Sequence, residues 1–112
     1  MPGLPQVRRS EHEDVVVLSL VGDFDLDGID LLRDAFAEVT GDWSKVVVDL
    51  SAATFLDSMA IGAIIGAAKQ AQGSGGWLRL VNPAPYIRKV IRVTGLDDAF
   101  GVFDSVEHAS SA

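Results

Sequence analysis

The chain has 112 residues, 48% of them hydrophobic and 22% charged, which suits one globular core and no second domain. Sixteen Asp and Glu against nine Lys and Arg give a net charge of −7, which argues against binding phosphate-rich nucleic acid or an anionic membrane. The absence of cysteine excludes disulfides, thiol chemistry and soft-ligand metal centres, and two histidines, His12 and His108, are too few for most imidazole sites.

Met1–Pro5 holds two prolines and a glycine and reads as a flexible leader. Met1–Arg9 carries no apolar run of the secretory kind, and no apolar stretch reaches the roughly 18 residues of a membrane span. The expectation is a cytoplasmic domain over residues 6–109, with 110–112 as a tail. Gln6–His12 and Val15–Val21 flank the short Glu13-Asp14 connection, so they form an antiparallel hairpin with the first strand at the edge. The run VVVLSLV is β-branched and nearly all apolar, as in a buried central strand. Gly22–Asp25 then breaks the strand. Ile29, Leu32, Phe36 and Val39 mark one apolar helix face, with Asp27, Asp30, Arg33, Asp34 and Glu38 opposite and Gly41 as the stop.

Lys45–Leu50, KVVVDL, is a second buried strand, and Ser51–Leu56 reads as a loop. Asp57-Ser58 caps a helix from Met59 to about Gln72, which Gly73–Gly76 ends. Trp77–Val81 is a further strand. Asn82-Pro83 opens a helix with Ile87, Val90, Ile91 and Thr94 on its buried face and Arg88, Lys89 and Arg92 outside. Gly95-Leu96 forms its stop. Gly101–Phe103 is a short last strand, and Ser105–Ala109 a final helical turn. The order β-β-α-β-α-β-α-β-α implies one α/β domain with a mostly parallel sheet.

Enzymatic motifs are missing: there is no dinucleotide fingerprint, Walker loop or nucleophile elbow. Gly73–Gly76 is glycine-rich but follows a helix and precedes a strand, the reverse of a phosphate cradle. Asp23, Asp25, Asp49 and Asp57 sit at strand ends that a parallel sheet sets side by side. They could hold magnesium. The preferred reading is helix capping, by Asp25 or Asp27 for the first crossover helix and Asp57 for the second.

The 57–72 segment is the most informative. Its wheel puts Ile61, Ile64, Ile65 and Ala68 on the core side. The far side holds Met59, Gly62, Ala63, Gly66 and Gln70. Each glycine costs about 1 kcal/mol of helix stability relative to alanine. That cost fits a smooth face meeting another backbone, either a neighbouring helix of this chain or another protein. Ser58 starts this helix, where free N–H groups would also stabilise a phosphate.

Three segments in register carry a family resemblance over about Val7–Glu107. Leu20–Asp25 resembles the Gly-Glu-Leu-Asp segment of STAS-domain anti-sigma factor antagonists. Val48-Asp49-Leu50 with Phe55–Gly62 resembles their central Met-Asp-Ser-Ser/Thr-Gly-Leu-Gly. Val93–Leu96 resembles their C-terminal Ser/Thr-Gly-Leu. The resemblance implies a small mixed sheet with helices packed mainly on one side. It implies no cofactor, no resident metal and no catalysis. The implied partner is an anti-sigma factor that is also a serine kinase and holds the ATP and magnesium itself. The implied phosphoacceptor is Ser58, reset by a serine phosphatase, with Asp23, Asp25, Asp57, Ser58, Met59, Gly62, Ala63 and Gly66 at the contact. The sequence departs from the family pattern at Met59 and Ala60, which add bulk on the expected contact side. Two other family roles compete: a stand-alone STAS subunit of a transporter ATPase, and a nucleotide-binding STAS domain.

Overall fold

The computed structural model describes residues 3–93 and 100–112. Five strands lie in chain order across one sheet: β1 (Gln6–His12), β2 (Val15–Phe24), β3 (Lys45–Leu56), β4 (Trp77–Val81) and β5 (Val102–Phe103). The β1–β2 hairpin is antiparallel and the other pairs are parallel. Helices α1 (Ile29–Thr40), α2 (Ser58–Gly73) and α3 (Pro85–Val93) are the crossovers, and α4 (Val106–Ser111) follows β5. The α/β class, the mixed sheet and the hairpin are as the sequence suggests.

The pleat divides the core. Val16, Leu18, Leu20, Val46, Val48, Leu50, Leu78 and Leu80 face α1, α2 and α3. Their alternates Val15, Val17, Val47 and Val81 face Ala109 and Val106 of α4. Among the described residues, α1, α2 and α3 therefore cover one side and the short α4 the other. Arg79 holds α4 in place. Its guanidinium lies 3.8 Å from the Trp77 ring centroid and donates to the carbonyls of Ala109 (2.9 Å) and Ala112 (2.8 Å). Burial lowers the Arg79 pKa from its ordinary value.

Three expectations need correction. Of the expected break at Gly22–Asp25 all but Asp25 is strand, and so is the expected loop at Ser51–Leu56: β2 runs to Phe24 and β3 to Leu56, paired as Asp23↔Phe55 and Phe24↔Leu56. A register shift between Gly22 and Asp23 absorbs the irregularity. Gly22 has φ +89, and a Cβ there would collide with the Leu4 carbonyl oxygen. Second, Asp25 and Asp27 do not cap α1. Its N-cap is Gly28, with no side-chain bond. The Asp25 carboxylate instead accepts from the Asp27 amide at 3.1 Å and shapes the preceding turn. Third, Val90 of α3 is exposed, while Ile87 and Ile91 are buried. Thr94 and the Gly95-Leu96 stop lie outside the described residues.

Candidate functional site

The site is built where the C-terminal ends of β2 and β3 meet the start of α2. The Asp57 amide donates to the Phe24 carbonyl at 3.1 Å, which ties the two strand ends together. The Asp57 carboxylate accepts from the Ala60 amide at 2.8 Å, so it is the N-cap of α2, as its position suggests. Asp23 is half-buried. Its carboxylate accepts the Thr54 hydroxyl, and its amide donates to the Gly3 carbonyl at 2.9 Å. The described part of the leader, Gly3–Pro5, thus lies against this end of β2. Asp25 is exposed one residue past the strand. Asp49 stands apart from this group, with its carboxylate accepting both the amide and the hydroxyl of Ser51. Among the described residues no three His, Asp or Glu gather as metal ligands.

Ser58 is the first residue of α2 and is exposed, and its hydroxyl has no hydrogen-bond partner among the described residues. The oxygen stands at the positive end of a 16-residue helix. Met59 beside it is 41% exposed. Ala60, expected on the contact side, is fully buried and belongs to the core. Only Met59 of the two departures therefore alters the surface.

The core face of α2 is also rotated from the expected one. Ala60, Ile64, Ala67, Ala68 and Ala71 are buried, whereas Ile61 and Ile65 are only half-buried at its margin. Small alanines let α2 lie close on β3 and β4. The outward face is then Met59, Gly62, Gly66 and Gln70, all exposed. Among the described residues a Cβ on Gly62 or Gly66 would meet nothing within 4 Å, so packing against them does not explain either glycine. Ala63 differs. It is half-buried and lines a groove of about 210 Å³ with Phe36, Ala37 and Thr40 of α1.

The sequence reading missed three groups at this end. The Tyr86 hydroxyl accepts from the Leu56 amide at 3.0 Å, bracing the strand end just before Asp57. Leu26 is 71% and Phe55 45% exposed, so apolar surface lies among the carboxylates. A leucine set between two aspartates in a turn was the available signal for Leu26.

A single domain of this topology, with an aspartate-capped α2 led by a free serine, has relatives. The STAS domain family model matches residues 6–109. The chain belongs to the STAS-domain family. The STAS domain is 33% identical over 101 residues to the anti-sigma-F factor antagonist RsfB of Mycobacterium tuberculosis, covering 89% of this chain and 82% of RsfB. It is 30% identical over 87 residues to a STAS-domain containing protein of Pseudomonas aeruginosa, covering 78% and 86% of the two chains. The crystal structure of an anti-sigma factor antagonist from Mycobacterium paratuberculosis superposes with a TM-score of 0.86 at 27% identity, covering 99% and 95%. Two of these three relatives are named anti-sigma factor antagonists. No described helix of the STAS domain is long and apolar enough to cross a membrane.

Proposed function

We propose that this STAS domain is an anti-sigma factor antagonist switched by phosphorylation of Ser58. Unphosphorylated, it binds an anti-sigma factor through the end of the domain around Asp23, Asp25, Asp57, Ser58 and Met59 and along Gly62, Ala63 and Gly66. That binding frees a sigma factor for transcription in the cytoplasm. The partner doubles as the serine kinase and brings its own ATP and magnesium, and a serine phosphatase restores the hydroxyl. The domain itself performs no turnover.

The observation that carries this reading is the exposed Ser58 at the start of α2, unpartnered among the described residues, on a helix where a Cβ on outward Gly62 or Gly66 would meet no described atom within 4 Å. A phosphate on Ser58 adds a charge of about −1.5 to −2. Docking would then have to strip water from a dianion crowded by carboxylates, at a cost of several kcal/mol. The test is a competition assay with purified components. The domain should displace a sigma factor from its anti-sigma factor. Failure to bind any anti-sigma factor of the source genome would contradict the proposal.

A further inference from the structure

The outward faces of the three crossover helices differ in charge. On α1 the stripe opposite the buried Leu32, Phe36 and Val39 is Asp30, Asp34 and Glu38, all exposed. On α3 the stripe opposite the buried Ile87 and Ile91 is Lys89 and Arg92, both exposed, with half-buried Arg88 beside them. These are three of the nine Lys and Arg in the whole chain. None of these six side chains forms an ion pair among the described residues. Between the stripes lies α2: α1 packs on β1 and β2, α2 on β3 and β4, and α3 meets Ile61 and Ile64 of α2 beside Leu80 of β4. Besides Met59 and Gln70, the outward face of α2 carries Gly62, Gly66, Lys69 and Gly73, all exposed. The helical layer therefore reads acidic on α1, apart from exposed Arg33 on its α2 side, glycine-lined with one lysine on α2, and basic on α3.

That order is self-complementary for one rotation only. The three helices each connect parallel strands, so they run in the same sense. Turning a second copy over about an axis along α2 sets the acidic α1 of each copy against the basic α3 of the other, twice, with α2 on α2. Turning it about an axis across the helices sets acid on acid and base on base. We propose that the domain associates with a second copy of itself through this helical layer, by the two-fold that pairs α1 with α3. Apolar Leu31 of α1 and Val93 of α3, 41% and 75% exposed, would enter the contact beside the charges. The proposal concerns the chain alone and does not rest on the anti-sigma reading. It does imply that a partner docking over Gly62 and Gly66 competes with the dimer.

The test is sedimentation equilibrium of the full chain and of charge-reversed variants, with circular dichroism to show that each is folded. The wild type should dimerise, more weakly at high salt. Asp34→Lys with Glu38→Lys should weaken the dimer at least about tenfold, although it lowers the net negative charge. Lys89→Glu with Arg92→Glu should do the same. Mixed with each other the two variants should form a heterodimer, and all four changes in one chain should restore self-association. A monomeric wild type would overturn the proposal, and so would a dimer indifferent to the reversals. A monomer whose basic stripe binds anionic phosphatidylserine vesicles would assign that stripe to lipid and overturn it too.

Discussion

The amide of Asp57 donates to the carbonyl of Phe24 at 3.1 Å, while the carboxylate of Asp57 accepts from Ala60 at 2.8 Å. One residue therefore joins the end of β2 to the start of α2 and caps the helix that presents Ser58. The proposed phosphoacceptor stands on rigid backbone, not on a free loop.

The cap can be separated from the charge. Asp57→Ala should destabilise the domain by about 1 kcal/mol and lower Tm by roughly 4–6 °C. Asp57→Asn should recover most of that loss, because asparagine caps as well as aspartate. Thermal melts of the two variants decide the matter. Equal losses for both would show that the negative charge, not the accepted hydrogen bond, supports the helix.

Gly62 and Gly66 offer a test of what the smooth face is for. Each lies mid-helix with open space over it, so Gly66→Ala should stabilise the isolated domain by about 1 kcal/mol in chemical denaturation. Gly66→Arg should leave the circular dichroism unchanged but abolish partner binding. Unfolding by Gly66→Arg would show that the face is covered within the chain. A folded variant with unchanged affinity would remove it from the interface.

Gly22 should tolerate nothing larger. At φ +89, with the Leu4 carbonyl where a Cβ would go, Gly22→Ala should cost more than about 1 kcal/mol. The same denaturation experiment reads it, and an unchanged midpoint would show that the Gly3–Pro5 segment does not sit against β2 in solution.

The domain should hydrolyse neither ATP nor GTP. Turnover by highly purified protein that disappears on a point change within the domain would contradict the binding-module account.

The strands and helices whose apolar residues follow a clean period were legible in the sequence. VVVLSLV and KVVVDL are strands because β-branched runs are buried on both faces, and the α1 stripe is buried as its spacing requires. What escaped was structure without an apolar signature. Ala52, Thr54 and Phe55 of β3 are exposed, so backbone pairing with Val21–Asp23 keeps them in the strand, not side-chain burial. The wheel for α2 gave isoleucine more weight than alanine, yet the helix turns its alanines inward, where small side chains allow close approach to the sheet. At the site, the Asp57 cap was readable from its place before a helix. The turn built by Asp25 was not, since an aspartate ahead of a helix has both uses. The reach of Tyr86 to Leu56 spans 30 positions and leaves no local trace in the chain.

The central claim is that the hydroxyl of Ser58 sets affinity for the partner. The most direct measurement is to incubate the domain with its candidate kinase and ATP, map the phosphate by mass spectrometry, and titrate each form against the anti-sigma factor. The account predicts a single phosphate on Ser58 and an affinity loss of at least about tenfold, a penalty of about 1.4 kcal/mol. Ser58→Asp should mimic the loss with the fold intact, and Ser58→Ala should keep binding and refuse the phosphate. A phosphate on another residue, or equal affinity of the two forms, would contradict the account and favour a STAS domain that works unphosphorylated.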